Sequence, residues 1–402
     1  EAMRAVADAA TSDYFEGYTF HLTGNVNFEF TPMQPLGHLS TNEAAFAGTI
    51  NGHGYGFEHI HIGTTSKTVD SSIPHAGLFF RLGNCKFIDF GLDSGLIYDN
   101  RATAASGMSS FGRVITGKTP EFTRVWSSIA IASMSKASSS GLVHTIDENN
   151  INLNVNGYVF DGEIIKIDDH YMDGQWSFAV TGHTTKTLTA GSTFANIITD
   201  FSSRNGTVTP NKTATVTTFK ETKKNDPGVR AALFNFDTVA NFKNSIKGNI
   251  YAVKRATDGI KEGYFLNFRS GFGGSGSEEL LTDMSAAEAA WTINNHPTTS
   301  VNPVYFTLKD GKVRPIAGGA QTGKIIKVTL TGDRNESYFF NAGTSVNLAS
   351  DLGKTSGQTF TANGSAISST TYTVNADTEI TVSSSCGDNH TYDSSSYVAG
   401  TN

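Results

Sequence analysis

The sequence predicts a mainly all-β protein in which a long solenoid of parallel sheets precedes a small separate β-domain. Short alternating apolar runs fill the chain from Tyr18 to about Phe201, nearly without helical periodicity. The composition of 41 Gly, 27 Phe and 13 Tyr against 9 Pro suits strands joined by tight turns. The apolar runs return roughly every 20–30 residues, which is typical of solenoid repeats.

Residues 1–13 are predicted to form a capping helix, because Met3, Val6 and Ala10 share one helical face before Thr11-Ser12-Asp13 ends it. A helix at this place would cover the open edge of the first coil, which otherwise recruits further strands.

Residues 14–250 are assigned to the solenoid. Three segments look like copies of one pattern, a glycine followed by an apolar residue: Gly77-Leu78-Phe79, Gly107-Met108-Ser109 and Gly141-Leu142-Val143. Glycine suits the corners of coils because it enters left-handed backbone conformations at little cost. An antiparallel sandwich is the alternative, but it does not explain the recurring pattern.

Residues 251–320 are predicted to hold a closing helix and a hairpin. The helix spans 277–295, starts at Ser277 and places Trp291 on its buried face. The hairpin turns at Lys309-Asp310-Gly311-Lys312. In residues 321–385 apolar and polar residues alternate, which predicts the small β-domain. Residues 386–402 are predicted to be a polar tail.

Charge and cysteine content exclude several classes of protein. The net charge of −7 and the pI near 5.9 argue against a nucleic-acid partner, which requires a basic face. No apolar run is long enough for a membrane span. Cys85 and Cys386 exclude a disulfide-rich scaffold, and two free thiols are favoured over one long-range disulfide. A chain that begins at Glu1 is expected to be a secreted product without its signal peptide.

Five motifs in this order resemble extracellular bacterial proteins with the GLUG motif. The resemblance covers about 1–320 and rests on the following segments: Gly17-Tyr18-Thr19-Phe20-His21-Leu22-Thr23 with Pro35-Leu36-Gly37, then Phe46-Ala47-Gly48-Thr49-Ile50-Asn51-Gly52-His53-Gly54-Tyr55, Ala76-Gly77-Leu78-Phe79, Ser285-Ala286-Ala287-Glu288-Ala289-Ala290-Trp291-Thr292-Ile293-Asn294, and Val304-Tyr305-Phe306 with Arg314-Pro315. It implies a right-handed parallel β-helix on a cell surface or in a secreted filament. Residues 324–383 resemble more faintly the β-grasp-like repeats of bacterial surface proteins, so the small domain is expected to be a β-sandwich or β-grasp-like fold.

Three groups of side chains are candidates for ligand binding. His53, His59 and His61 could bind a transition metal, but a solvent-facing strand with Ile60 and Ile62 turned inward is favoured. An exposed platform for sugar rings is the hypothesis for Trp126, Tyr171 and Trp176, and packing inside the coil is favoured over it. Weak calcium candidates are Asp168, Asp169 and Asp173, for which an exposed turn is favoured, and no other cofactor is expected.

The sequence therefore predicts a structural or adhesive protein of the bacterial cell surface that self-associates into filaments or sheets, or binds a surface glycan or protein. A carbohydrate-binding module or a polysaccharide-active enzyme on the same scaffold is the alternative, and a phage fibre is less favoured. An enzyme is the minority interpretation, because no nucleophile elbow, zinc-binding helix or phosphate loop is present.

Overall fold

The computed structural model describes most of the chain in fifteen stretches of sequence. They comprise residues 2–41, 43–63, 75–99, 107–133, 139–145, 151–167, 176–182, 188, 191–200, 202–209, 215–218, 230–236, 238–253, 265–269 and 280–385. The chain divides into two compact units, Glu1–Gln321 and Thr322–Asn402. The polar tail of 386–402, with Cys386, lies outside the described residues.

The first unit is a parallel β-solenoid that begins with helix α1 (Ala2–Asp8). Its first three levels contain the following strands: β1 (Thr19–His21), β2 (Val26–Asn27), β3 (Pro32–Met33), β4 (Thr49–Asn51), β5 (Gly56–Glu58), β6 (Ile60–Ile62), β7 (His75–Ala76), β8 (Phe79–Leu82), β9 (Lys86–Ile88), β10 (Gly91–Leu92), β11 (Gly95–Asp99), β12 (Gly107–Ser109) and β13 (Gly112–Val114).

The later levels repeat this order of strands. They contain β14 (Glu121–Ser127), β15 (Ala130–Ser133), β16 (Ser139–Ser140), β17 (Val143–Thr145), β18 (Asn154–Phe160), β19 (Glu163–Ile167), β20 (Trp176–Phe178), β21 (Thr181–Gly182), β22 (Thr193–Thr199), β23 (Ser202–Thr209), β24 (Thr215–Thr218), β25 (Arg230–Asn235), α2 (Val239–Ser245), β26 (Ile250–Val253), β27 (Phe265–Arg269) and β28 (Leu281–Thr282).

Four sheets run along the solenoid, and equivalent strands of successive levels are neighbours within each sheet. The first follows β1-β4-β9-β14-β18-β22-β26-β28, with β2-β5-β10 joined to it through β14. The others follow β3-β6-β11-β15-β19-β23-β24, β7-β12-β16-β20-β25-β27 and β8-β13-β17-β21. Only the β23–β24 pairing among these is antiparallel within the described strands. The predicted parallel solenoid is therefore confirmed.

Parallel pairing in register places side chains of the same kind above one another. One column in the first sheet is wholly buried and mostly aromatic, and it consists of Ile50, Phe87, Phe122, Val155 and Phe194. The rings of Phe87 and Phe122 stack with centroids 5.2 Å apart. A second column of Ile62, Ile97, Ile131 and Ile164 lies in the next sheet. Strand residues of alternate positions therefore fill one continuous core.

The repeating glycine pattern occupies the corner before the fourth sheet, at two of its three predicted positions. Gly112 pairs with both Phe79 and Val143, which makes Gly77 and Gly141 equivalent. A Cβ atom on Gly141 would come within 2.2 Å of the Ala179 carbonyl oxygen, so glycine is required for this close approach. Gly107 instead pairs with His75 one strand earlier, so its similarity to the other two copies is a coincidence of sequence.

Helix α1 caps the first level with a face that differs by one residue from the predicted one. Ala7 is fully buried, Met3 and Ala10 pack against the core, and Val6 remains 49% exposed. The buried positions are therefore spaced i, i+4, i+7, which is equally a helical stripe. Arg4 donates to the Gln34 carbonyl oxygen at 2.7 Å and ties the helix to the first level.

The chain closes the first unit with α3 (Ala286–Asn295), β29 (Phe306–Lys309), β30 (Lys312–Pro315) and the 3₁₀ turn η1 (Ala317–Gly319). Helix α3 begins later than predicted, because Ser285 caps it by accepting from the Glu288 N–H at 3.1 Å, whereas Leu281–Thr282 is a strand. Ala289, Ala290 and Ile293 form its buried face, and Trp291 is half-buried rather than buried. Asp310 and Gly311 both have positive φ and make the tight turn of the predicted hairpin.

The closing helix and hairpin pack on the outer face of the first sheet, against β14, β18 and β22. The Asn156 side chain donates to the Asn302 carbonyl oxygen at 2.9 Å, and Val304 lies against Gly157. This packing buries the outward-facing residues Trp126, Val159 and Ile198 of the sheet.

The second unit is a small β-domain with its own core, Ile326 through Val382. Its strands are β31 (Ile325–Gly332), β32 (Glu336–Asn341), β33 (Thr344–Asn347), β34 (Gln358–Ala362), β35 (Ser365–Ala366), β36 (Thr371–Val374) and β37 (Thr378–Ser384). Five strands form a sheet in the order β32-β31-β37-β34-β35, and β33 pairs with β36 in a second sheet. Ile326, Val328 and Leu330 are buried in this core, as their alternation predicts.

Candidate functional site

A polar cleft lies where the closing hairpin meets the first three levels of the solenoid. Its volume is about 190 Å³. The side chains around it are Asn25, Glu58, Asp93, Lys309, Asp310, Lys312 and Arg314. Acidic and basic groups therefore face one another across a space that belongs wholly to the first unit.

The first two levels of the solenoid form one wall of this cleft. Asn25 accepts a hydrogen bond from the Gly56 N–H at 3.0 Å and donates through Nδ2 to Glu58 Oε1. A Cβ atom on Gly56 would come within 2.9 Å of Asp93 Oδ2. The absence of a side chain at Gly56 therefore leaves room for the Asp93 carboxylate beside the wall.

Only one of the two carboxylate oxygens of Asp93 accepts a hydrogen bond from a residue that the structure describes. Its Oδ1 accepts from the Trp126 indole N–H at 2.6 Å. Its Oδ2 is buried and has no hydrogen-bond partner among the residues that the structure describes. A buried acceptor without a donor costs about 1–3 kcal/mol, and since solvent does not reach this oxygen, it is not open to a ligand in the cleft.

Arg314 fixes the hairpin to the solenoid at the inner end of the cleft. Its guanidinium donates to Asp161 Oδ2 at 3.0 Å and to Ser128 Oγ at 2.6 Å. It also lies 5.9 Å from the Trp126 ring centroid, and its side chain is only 5% exposed. These contacts occupy Arg314, which therefore positions the site rather than offering a free charge.

A second arginine anchors the turn that follows the hairpin. Arg124 donates to both carboxylate oxygens of Asp89, at 2.5 and 3.1 Å. The Gly318 N–H donates to the same carboxylate at 3.1 Å. Four neighbouring strands of the first sheet have a residue with positive φ at the same position. These residues are Asp89, Arg124, Gly157 and Asn196. This repeated left-handed corner turns their backbone toward the closing segment.

The lysines of the hairpin turn supply the basic side of the cleft. Lys309 Nζ lies 3.5 Å from the Gly54 carbonyl oxygen. Lys312 forms no ion pair with any residue that the structure describes. Tyr55, between Gly54 and Gly56 in the chain, is 40% exposed. The cleft thus combines the two ammonium groups with the carboxylates of Glu58 and Asp310, and Tyr55 is not among the residues that line it.

Trp126 does not belong to an exposed aromatic platform: it is buried, as the favoured alternative requires, but on the outer face of the first sheet rather than inside the coil. This side chain is 2% exposed, because the hairpin covers the outer face of its strand and Arg314 lies over its ring. Trp176 lies in β20, but its side chain and the whole of Tyr171 lie outside the described residues. The calcium candidates Asp168, Asp169 and Asp173 also lie outside them.

The expectation of a solvent-facing histidine strand is wrong for His61. His61 is 1% exposed, between Pro32 and Leu96 of the neighbouring strands, and burial lowers its pKa. His59 has a φ of 54°, which breaks the alternation just before β6, and its Nδ1 lies 2.9 Å from Asn27 Oδ1. Exposed His53 contacts His21, with ring nitrogens 2.8 Å apart. Ile60 and Ile62 are buried as predicted.

Other features of the described residues offer less chemistry. They contain no group of three or more His, Cys, Asp or Glu side chains placed to hold a metal ion. Cys85 is a free, fully buried thiol whose pKa is raised by burial. The small β-domain has a wide open concavity of about 660 Å³. Its lining is mainly hydroxyl and amide side chains, including Thr361, Asn363, Tyr372, Thr373, Asn375 and Thr381.

Sequence reasoning did not identify the cleft. The charged segment Lys309-Asp310-Gly311-Lys312 was interpretable only as a hairpin turn, and Glu58 and Asp93 lie far from it in the chain. Their approach depends on packing of the hairpin against the outer sheet face, for which local patterns give no signal.

No helix in the described stretches has both the length and the apolar composition required to cross a membrane. Comparisons with protein-family models, curated proteins and solved structures found no match to this chain. The resemblance to GLUG-motif proteins therefore stays a prediction.

Proposed function

We propose that this chain is a structural or adhesive protein of the bacterial cell surface, with the solenoid as a stiff scaffold. Support comes from the continuous columns of buried side chains, in which each level rests on the next. The weakly acidic, Ser/Thr-rich composition is suited to an extracellular surface.

The observation that carries the proposal is the part of the first level that helix α1 leaves uncovered, where Thr19 and His21 of β1 and both residues of β2 are exposed. Strands β1, β2 and β3 each pair with one described strand, on the side of the second level. Two large apolar side chains are exposed beside these edges, Tyr18 at 66% and Val26 at 39%. Unpaired strand edges with exposed apolar groups are surfaces for association. Self-association through this end is the expected assembly mode.

The test is light scattering coupled to size-exclusion chromatography over a concentration series, with negative-stain electron microscopy of the same samples. We expect concentration-dependent oligomers, filaments or sheets for the native chain. Tyr18→Lys and Val26→Lys should shift the equilibrium toward the monomer, because each places a charge beside the open edge.

Val239→Lys is the matched control, because Val239 is 49% exposed but begins α2, far along the chain from the first level. It should leave assembly unchanged. A native chain that stays monomeric at every concentration, or equal assembly by all three variants, would overturn the proposed self-association.

A glycan-binding role is a second candidate, and one observation favours it. The cleft beside the hairpin brings the ammonium group of Lys312, which has no ion-pair partner among the described residues, near the carboxylate of Glu58, which accepts one hydrogen bond from Asn25. An adhesive protein requires such a recognition site, whereas a purely structural one does not.

A further inference from the structure

We propose that His21 and His53 bind one divalent transition-metal ion between their imidazole rings, with water in the remaining coordination positions. Both side chains are exposed, and both belong to the first unit. The inference goes beyond the scaffold and adhesive roles proposed above and does not depend on them. His53 belongs to the histidine group that the sequence singles out, and His21 takes the place of the other two members.

The two imidazole rings meet edge to edge. Nδ1 of His21 lies 2.8 Å from Nε2 of His53. The ring centroids are 5.1 Å apart and the ring planes differ by 21°. So large a separation of the centroids requires that both nitrogens lie between the two ring centres. Because the lone pair of an imidazole nitrogen lies in the ring plane, the two nitrogens point toward a common position.

The separation of the two nitrogens is close to that of two ligands on one metal ion. Zn–N bonds of about 2.0–2.1 Å in a tetrahedral arrangement place the ligand nitrogens about 3.3 Å apart. The 2.8 Å separation must therefore increase by about 0.5 Å. Exposed side chains can make this adjustment by small rotations within their rotamer wells.

The protonation of the pair also permits metal binding. Without metal, the 2.8 Å contact between neutral rings requires that one of the two nitrogens donates an N–H to the other. The second nitrogen of each ring has no hydrogen-bond partner among the described residues. The shared proton can move to the second nitrogen of its own ring through water. The metal then takes the place of the proton, and the neutral pair loses no proton overall.

The backbone holds the two histidines in place before any metal binds. Phe20 packs on the core, so His21, next to it in β1, faces outward beside Asn51 of β4. His53 follows in a turn with a φ of 52°, where its N–H donates to Asn51 Oδ1 at 3.1 Å. The Gly54 N–H donates to the Asp89 carbonyl oxygen at 2.8 Å and fixes this turn. Ligands that are already positioned lose less conformational entropy on binding.

The type of ligand selects the metal. Imidazole nitrogens suit Zn²⁺, Cu²⁺ and Ni²⁺, whereas Ca²⁺ and Mg²⁺ prefer oxygen. No group of three or more His, Cys, Asp or Glu side chains is placed to hold a metal in the described part of the chain. The site therefore has two protein ligands instead of the four of a structural zinc site. Its affinity should be lower than that of such a site, and Cu²⁺ should bind most tightly.

The test is titration calorimetry of the full-length protein with ZnCl₂, NiCl₂ and CuCl₂ in separate experiments, and with CaCl₂ as the comparison. His21→Asn and His53→Asn should each weaken transition-metal binding at least 10-fold. Loss of a partner that only supports a metal ligand already costs about 10–100-fold, and these variants remove a ligand itself. Asparagine is chosen because it tolerates the positive φ of His53.

His59→Asn is the matched control. His59 also has a positive φ, of 54°, but its Nδ1 lies beside Asn27 Oδ1 instead of a second imidazole. This variant should bind metal as the native chain does. The urea midpoint of tryptophan fluorescence should be the same in the native chain, His21→Asn and His53→Asn, because the replaced side chains are exposed.

Electron paramagnetic resonance of the native chain with one equivalent of Cu²⁺ gives a second readout, independent of any variant. We expect coupling of the copper to two imidazole nitrogens, and to fewer in His53→Asn. The proposal would be overturned if the native chain bound none of the three transition metals, or bound Ca²⁺ equally well. Equal affinity of the native chain, His21→Asn and His53→Asn, or the same loss in His59→Asn, would also overturn it.

Discussion

In the solenoid, a buried side chain packs on equivalent residues of the levels before and after it, whereas in the small β-domain buried residues from two sheets surround one closed core. Phe122 of the solenoid lies between Phe87 and Val155, and Phe360 of the small domain faces residues from several strands. The difference teaches that the solenoid is stabilised level by level, and the small domain as a single unit.

Core truncations are expected to have the largest effect and to separate the two units. Phe122→Ala should destabilise the solenoid by about 3–5 kcal/mol, because it opens a cavity in a fully buried column. Tryptophan fluorescence during urea unfolding reports the solenoid unit, since Trp126, Trp176 and Trp291 all precede residue 322. Hydrogen exchange of the small domain should not change.

Phe360→Ala is the matched control for this prediction. Phe360 is also fully buried, so its truncation should increase hydrogen exchange throughout the small domain and leave the tryptophan transition unchanged. If either variant altered both units, the picture of two independent cores would be broken.

Loss of the buried arginine should have the next largest effect. Arg314→Leu is expected to lower the free energy of unfolding of the solenoid by about 3 kcal/mol, measured by tryptophan fluorescence. The reason is that the Asp161 carboxylate loses its cation inside a covered interface. The substitution should also lower the protection of the closing hairpin from hydrogen exchange.

The Arg334–Glu336 pair of the small domain, whose carboxylate is exposed, provides the contrast. Arg334 binds Glu336 and holds the pKa of that carboxyl below its usual range, but Glu336 is exposed to solvent. Arg334→Leu should therefore change the stability of the small domain much less than Arg314→Leu changes that of the solenoid. An equal effect would contradict the difference in burial as its cause.

The smallest expected effect is a pH dependence confined to the solenoid. Because burial lowers the pKa of His61 in the folded state, the unfolded chain binds a proton more readily. Stability is therefore lost as the pH falls below about 6.5, the pKa of an unperturbed histidine.

His61→Leu should reduce this loss, measured as the urea midpoint of tryptophan fluorescence between about pH 7.5 and pH 5. His53→Leu, at an exposed position, should retain it. The small domain has no histidine between 322 and 385 and supplies an internal reference. An unchanged pH profile in His61→Leu would show that other groups dominate.

The alternation of apolar residues was enough to predict the solenoid, because a strand that faces a core has a period of two. It was not enough at corners. The positive φ of His59 changes the direction of the residues after it, so His61 is buried although its position in the apparent alternation suggested solvent. Likewise, Ala7 rather than Val6 contacts the core, since both fit a helical spacing from Met3.

The candidate site was less predictable than the fold. Trp126 lies on the outer face of its strand, where an aromatic residue suggests an exposed platform, yet residues near Arg314 cover it. The contact joins positions that are distant in the chain, and neither segment carries a signal for its partner. Tertiary packing, which creates both this cover and the cleft, is specified by shape complementarity rather than by local periodicity.

The stacked column of the first sheet also limits where residues can be inserted into this sequence. Positions 87, 122, 155 and 194 stand directly above one another, although the stretches of chain between them differ in length. Adjacent strands are always about 4.8 Å apart, so extra residues between them cannot lengthen the column. Insertions must therefore emerge sideways as loops. Related sequences can therefore differ in the length of these connections while the spacing of the buried column stays the same.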